Sequence, residues 1–191
     1  MKNVYKNGTD YVATVTCHIV TDDEIFKFVK ESVVKFIFFD KEYADISSDK
    51  TINELHRFKS KYRGNTYIRI PLKIVKGEDD KYASGVEIDN TADENDATAF
   101  VVVSKHDLRD MSKEMKKANK DERVAFGEKL CAEYVDKLNH MLNNDMVNIV
   151  IRDNKTYTIV ATKVLNGGSI TDIDAEINKI VQNIQAKAEI I

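Results

Sequence analysis

The sequence predicts an α+β protein in which a mainly antiparallel sheet of about five to seven strands packs against a long, broken helix and a C-terminal helix. Short segments rich in β-branched residues alternate between apolar and polar positions, whereas longer segments repeat apolar residues at helical spacing. The 191 residues include only one proline and seven glycines, which favours regular elements over long irregular loops.

The first predicted elements are a strand, a short helix and a second strand. Residues 11–20 are rich in β-branched side chains and predict the first strand. Thr21 and Glu24 have the spacing of a capping box, which starts a helix over residues 22–31. Residues 33–39 are β-branched and aromatic, which favours a strand, although so short an apolar run also suits a continued helix.

A polar connection, a second helix and a third strand follow. Residues 40–50 form the connection, and residues 49–60 place three apolar side chains on one side of a helix. Residues 66–76 alternate between isoleucine or leucine and polar side chains, so we expect a strand with a basic exposed face. Pro71 lies within it and indicates an edge position, because proline has no N–H for a neighbouring strand.

An acidic connection leads to the most apolar strand. Residues 78–96 are longer than most loops, so we expect this segment to be functional or mobile, with a short strand at residues 86–89. Residues 97–104 contain five consecutive apolar positions and predict a buried strand.

The longest helical pattern covers residues 107–143. Its first half is polar and rich in lysine, and its second half carries a continuous apolar stripe. Asn119 lies between the halves and suits the N-cap of a separate helix, so we expect a break there.

A hairpin and a final helix end the pattern. Residues 146–165 alternate on both sides of a turn at residues 153–155, which predicts two paired strands. Residues 166–169 end the hairpin, and Thr171 is the expected cap of a helix that runs to near Ala188.

We expect a single α+β domain over residues 1–191, because no repeat and no Pro/Gly/Ser-rich linker divides the chain. The acidic segment, residues 78–96, is the connection that we expect to be mobile or to form an interface. Cys17 and Cys131 are expected to be buried, reduced thiols. The sequence shows no secretion signal or membrane span, so we expect synthesis in the cytoplasm, and a place in a virion if the assembly prediction below holds.

The charge pattern reverses in the middle of the chain. Residues 56–77 carry seven cations and no carboxylate, and residues 78–96 carry eight carboxylates and one lysine, while the whole chain has a net charge of −3. Such a surface suits an anionic partner or a second copy packed head to tail. The expected basic contact residues are Arg57, Lys59, Lys61, Arg63, Arg69 and Lys73. The expected acidic contact residues are Asp79, Asp80, Asp93, Glu94 and Asp96.

Two other interpretations of the basic segment remain open. Phe58, Tyr62 and Tyr67 alternate with its cations, and nucleic-acid modules combine cationic grooves with aromatic rings. Alternatively, the cations form solvated faces of a helix and a strand, and the rings point into the core, since Phe58 lies at helical spacing from Leu55.

We predict no catalytic, cofactor-binding or metal-binding residues, and we expect that the protein is not an enzyme. The four histidines lack the spacing of a zinc site or a catalytic triad. Residues 89–96 have calcium-binding residue types without the order of a calcium loop. The glycine pair at 167–168 lacks the lysine of a phosphate loop, and no spacing selects a carboxylate–lysine nuclease core.

The function expected from these observations is structural. A dipolar surface without a recognisable active site suits a homo-oligomer, such as a ring or connector in the head–tail or tail region of a phage particle, with itself and other assembly proteins as partners. A small inhibitory protein whose acidic segment blocks a basic partner is the first alternative. A nucleic-acid-binding protein that uses residues 56–76 is the second.

Overall fold

The computed structural model describes residues 3–7, 10–76, 83–166 and 173–188. Within these residues, eight strands form two four-stranded sheets, and all neighbouring strands are antiparallel. Six α-helices and one 3₁₀ helix complete the secondary structure of this part of the chain. The α+β class and the antiparallel pairing that the sequence predicts are therefore confirmed.

The strands, in chain order, are β1 (Asn3–Asn7), β2 (Tyr11–His18), β3 (Lys35–Phe38), β4 (Tyr67–Lys76), β5 (Ala83–Ile88), β6 (Ala99–Ser104), β7 (Met146–Asp153) and β8 (Ile159–Asn166). The α-helices are α1 (Asp22–Glu31), α2 (Leu55–Lys61), α3 (Lys105–Asp110), α4 (Lys113–Lys117), α5 (Lys120–Leu142) and α6 (Ile173–Ala188). The 3₁₀ helix covers Lys41–Ile46.

Contacts between Cα atoms divide the chain into two compact units. The first unit joins Met1–Val20 to Asn144–Ile191, and the second unit is Thr21–Asn143. Each unit contains one of the two sheets, so each sheet has its own core.

The sheet of the first unit has the strand order β1-β2-β7-β8. Strands β2 and β7 pair along their whole length, from Tyr11 opposite Asp153 to His18 opposite Met146. Alternate residues of these strands and one side of α6 form the core of the unit: Ala13, Val15, Ile149, Ile151, Ile177, Ile180 and Val181. The predicted hairpin over residues 146–165 is confirmed, whereas β1 was not predicted.

The sheet of the second unit has the order β3-β6-β4-β5. Strand β6 lies inside it and its first five residues are buried, as the apolar run predicts. The predicted edge position of Pro71 is wrong, because β4 lies between β6 and β5. Pro71 has no N–H to donate, but it is tolerated because β5 ends at Ile88 and needs no donor from this position. The residue after Ile88, Asp89, still donates its N–H to the carbonyl of Pro71 at 3.0 Å.

Helix α5 covers this sheet through a buried stripe that includes Leu130, Cys131 and Leu138. The predicted break before it is confirmed, since Asn119 and Glu122 form a capping box at its N-terminus. Helix α2 begins at Leu55, so it is shorter than the helix predicted over residues 49–60 and begins later in the chain. The expected cap at Thr171 lies outside the described residues.

The two cysteines differ in exposure. Cys131 is buried as predicted, but Cys17 is exposed, so that part of the prediction is wrong. Cys17 is the next-to-last residue of β2, beyond Val15 of the core. Burial, and then the charge of Glu128, raises the pKa of the Cys131 thiol to about 12, so this thiol is protonated at neutral pH.

Candidate interaction surfaces

The predicted basic residues lie on one helix and one strand of the second unit. Arg57, Lys59 and Lys61 belong to α2, Arg63 follows it, and Arg69 and Lys73 belong to β4. Of the aromatic residues between them, Phe58 and Tyr62 are buried and Tyr67 is half-buried. Phe58 stacks on Phe100 with ring centroids 4.3 Å apart, so its ring belongs to the core.

The predicted acidic residues are only partly described. Asp93, Glu94 and Asp96 lie between β5 and β6, and Asp79 and Asp80 lie outside the described residues. Within this connection, Asp89 Oδ1 accepts hydrogen bonds from the backbone and hydroxyl of Thr91 at 2.9 and 2.7 Å. These bonds lower the pKa of Asp89 from its usual value. Local hydrogen bonds therefore occupy Oδ1 of Asp89, which is one of the calcium-binding residue types in the sequence.

Arg69 and Glu94 connect the basic and acidic segments within one chain. Arg69 Nη2 donates to the two carboxylate oxygens of Glu94 at 2.9 and 2.7 Å, and Nη1 donates to the carbonyl of Tyr62 at 3.3 Å. The Arg69 side chain is only 17% exposed, so water screens this pair less than a surface pair. Nearby, Lys59 Nζ donates to Asn95 Oδ1 at 2.6 Å. The pair therefore joins, within one chain, two residues that the sequence predicts for a contact between chains.

Lys61 is also engaged within the chain, by Asp49. The Lys61 ammonium forms an ion pair with the Asp49 carboxylate, and the Tyr62 hydroxyl donates to the same carboxylate at 3.4 Å. Burial alone raises the pKa of Asp49, but hydrogen bonds from Lys61 and Thr51 and the Lys61 charge outweigh it, so the net pKa lies below the usual value. Burial, followed by the charge of Asp49, raises the pKa of Tyr62.

Three of the predicted cations remain directed to water. Arg57, Arg63 and Lys73 are exposed. Arg57 and Arg63 donate to an asparagine side chain and a backbone carbonyl at 3.4 and 3.2 Å, and Lys73 lies opposite Glu87 of β5. These three residues keep the charge needed for an anionic partner. Their contact with Asp93 or Asp96 of a second copy stays a prediction.

A second surface lies on the open edge of β8, which ends its sheet among the described residues. Four large apolar side chains on this strand or just before it are exposed: Tyr157, Ile159, Val160 and Val164. Ile159 and Tyr157 are the most open, with 60% and 70% of their areas exposed. An apolar edge strand is a template for pairing with another strand.

A groove of about 360 Å³ runs between this edge and α6, lined by side chains of both elements. Its apolar lining includes Val160 and Ala161 of β8 and Ile180 and Ile184 of α6. Beside it, the Lys163 ammonium forms an ion pair with Glu176 of α6. The hydrogen bond from Lys163 is the main reason why the pKa of Glu176 lies below its usual value. The one charged side chain of β8 is therefore neutralised within its own chain.

The alternating pattern of residues 146–165 predicts the strand β8 as half of a hairpin, but it does not predict that Tyr157, Ile159 and Val164 are exposed. The available signal is that apolar residues occur at both odd and even positions of residues 159–165, which an edge strand with one solvated face would not require.

Among the described residues, no group of three His, Cys, Asp or Glu side chains lies close enough to hold a metal ion. None of the helices in that part of the chain is both long enough and apolar enough to cross a membrane. Comparisons with protein-family models, with curated proteins and with solved structures found no match.

Proposed function

We propose that this chain is a non-enzymatic assembly protein that pairs with a second copy of itself through the open edge of β8. The observation that carries the proposal is the cluster of exposed apolar side chains on that edge. Pairing two such edges joins two four-stranded sheets into one sheet of eight strands and covers part of these apolar side chains with those of the other copy.

The sequence of β8 is self-complementary about its centre. When a two-fold axis normal to the sheet passes beside Thr162, Val160 of each copy lies opposite Val164 of the other. Ile159 and Leu165 approach each other at the ends of the same register, where β8 also has a register shift against β7 beside Val160. Lys163 lies opposite Ala161, a side chain small enough to leave the Lys163–Glu176 pair in place.

A second copy is favoured over an unrelated partner because this register uses the same residues twice and needs no other sequence. It is also favoured over a head-to-tail contact between the basic and acidic segments, because Arg69 and Glu94 already satisfy each other within one chain. A ring or connector in a phage particle stays a prediction; a two-fold β8 contact is one interface from which such an assembly can be built.

The experiment is light scattering after size exclusion at low and high salt, for the wild-type chain and the Val164→Lys variant. We expect a wild-type dimer in both buffers, because apolar strand pairing does not depend on charge. Val164→Lys places a charge on the outer face of the pairing edge and should give a monomer.

The matched control is Met111→Lys, which changes an apolar side chain that is 45% exposed in the second unit. It should remain dimeric, and circular dichroism should show that both variants are folded. A wild-type monomer in both buffers contradicts the proposal. So does a multimer that loosens with salt and is unaffected by Val164→Lys, which would favour the predicted contact between basic and acidic segments.

A further inference from the structure

A basic pocket of about 520 Å³ lies in the second unit, where the start of β4, the start of α3 and the first turn of α5 meet. Lys105, His106 and Arg109 of α3 line it, and so does Arg123 of α5. Lys105 and Arg109 are four residues apart, so they lie on the same side of the helix. None of these four residues belongs to the basic segment, residues 56–77.

Hydrogen bonds hold the walls of the pocket together. Lys105 donates its backbone N–H to the carbonyl of Thr66 at 3.0 Å and its ammonium to the carbonyl of Gly64 at 2.6 Å. Arg123 donates Nε–H to the carbonyl of Asn119 at 3.2 Å. Among the described residues, the two terminal nitrogens of Arg123 have no hydrogen-bond partner. Its guanidinium is therefore oriented by one bond while four N–H donors remain for a ligand.

The charges around the pocket favour an anion. No carboxylate lines it, although the whole chain carries a net charge of −3. Two aspartates contact the lining side chains only loosely: Asp110 lies 3.6 Å from Arg109 Nε and 3.5 Å from His106 Nδ1. Asp107 lies 3.8 Å from the same histidine nitrogen. Since these distances exceed ordinary charge-assisted hydrogen bonds, the cations can turn to a better acceptor.

We propose that this pocket binds a phosphate group of single-stranded nucleic acid, held by Lys105, Arg109 and Arg123. Arginine presents paired N–H donors that match the oxygens of a phosphate. This is a binding activity beyond self-assembly, and it uses a different unit of the chain from β8.

Two features favour a nucleic-acid strand over a free anion. Tyr67 lines the same pocket; its half-buried ring packs edge-on against Tyr62, with ring centroids 5.1 Å apart, and its exposed part can contact a base. Arg63 is exposed and begins the turn that leads into the pocket, since its carbonyl accepts the N–H groups of Thr66 and Tyr67 at 3.0 and 2.9 Å. The basic charge therefore continues past the pocket, where a neighbouring phosphate of a strand would lie.

The experiment measures fluorescence anisotropy of a labelled single-stranded oligonucleotide over a series of salt concentrations. We expect binding that weakens as salt rises. Arg109→Gln and Arg123→Gln should each weaken binding about tenfold, the effect of losing a hydrogen bond to a charged group. Each should also reduce the slope of log K against log salt by about 0.7, the value for one lost phosphate contact on a single strand.

Three controls make the result specific to the pocket. Arg57→Gln removes an exposed arginine on α2 and should leave both affinity and slope within error. Arg123→Lys retains the charge and should recover the salt slope, whereas a general disturbance of α5 would not be corrected by it. Tyr67→Phe should bind as the wild type does, and Tyr67→Leu should bind more weakly, because only the first keeps an aromatic ring.

Competition with inorganic phosphate, a mononucleotide and a duplex distinguishes the sources of the phosphate. The proposal expects weak competition from all three. It is overturned if the wild type does not bind the oligonucleotide at low salt, or if Arg57→Gln weakens binding as much as Arg123→Gln. It is also overturned if the mononucleotide or inorganic phosphate competes at the same concentration as the oligonucleotide, or if the duplex binds more tightly.

Discussion

The side chain of Asn139 hydrogen-bonds both backbone polar groups of Val86. Asn139 Oδ1 accepts the N–H of Val86 at 2.8 Å, and Nδ2 donates to its carbonyl at 2.8 Å. Strand β5 is an edge of its sheet, so these two bonds from α5 replace those of a further strand. Among the described residues, no side chain gives β8 a similar cover. The two sheet edges therefore differ in a way that agrees with the proposed pairing of β8.

Asn139→Ala should destabilise the second unit by about 1–3 kcal/mol, because it leaves a buried N–H and carbonyl without partners. Val86 is only 1% exposed, so water cannot easily replace the lost bonds. The measurement is the urea midpoint of unfolding. Asn53→Ala, at an exposed position, is the control and should change stability by no more than about 0.5 kcal/mol. Equal effects of the two changes would contradict the role assigned to Asn139.

Gly127→Ala should also destabilise the protein, although alanine is the better helix former by about 1 kcal/mol. A Cβ atom at Gly127 would lie 2.4 Å from Ile68 Cδ1 and 2.7 Å from Leu108 Cδ1. Overpacking of this kind costs about 1–3 kcal/mol, which exceeds the gain in helix propensity over most of that range.

The rescue variant is Gly127→Ala combined with Ile68→Val, which removes the Cδ1 atom that lies closest. Thermal unfolding of the wild type, both single variants and the double variant gives the coupling between the positions. We expect the double variant to be more stable than the sum of the single effects predicts. Purely additive losses would show that the steric conflict with Ile68 is not the cause.

Asp49 should make stability depend on pH in the acid range. Its folded pKa lies below the usual 3.8, so the ionised carboxylate stabilises the folded protein at higher pH. That contribution is complete above the unfolded pKa and is lost as the pH falls through the lower, folded pKa. The stability difference between the wild type and Asp49→Asn should therefore be larger at neutral pH than below pH 3.8.

Urea unfolding of both proteins at the two pH values measures this difference. Asp45→Asn is the control, since its carboxylate is 86% exposed and lies 3.5 Å from Lys50. Its effect should be small at both pH values. A difference for Asp49→Asn that is the same at neutral and acid pH would mean that the ion pair with Lys61 adds no stability.

Local features of the fold were predictable because their causes lie within a few residues. The capping boxes of Thr21 with Glu24 and of Asn119 with Glu122 set two helix starts through bonds between residues three apart. The edge position predicted from Pro71 is wrong because a proline is also tolerated in an inner strand where the neighbouring strand, here β5, has ended. Strand order and the place of β1 likewise depend on contacts between distant segments, which periodicity does not record.

The functional surfaces were predictable only in part, for the same reason. The charge reversal identified Arg69 and Glu94, but it gave no indication that the two residues bind each other within one chain. The basic pocket brings together Lys105, Arg109 and Arg123 from separate helices, so their cations do not form a run in the sequence. The only available signal was that arginine is rare here and that two of six arginines lie at positions 109 and 123.

The division of the chain into two units has a consequence for its synthesis. Strands β2 and β7 are neighbours, yet residues 19–145 separate them in the chain. At about 5–20 residues per second, the ribosome needs roughly 6–25 s to make that stretch. During this time the continuous second unit can fold, whereas β2 has no β7 with which to pair. Until β7 emerges, the edge of β2 that pairs with it in the folded protein is open to other nascent chains.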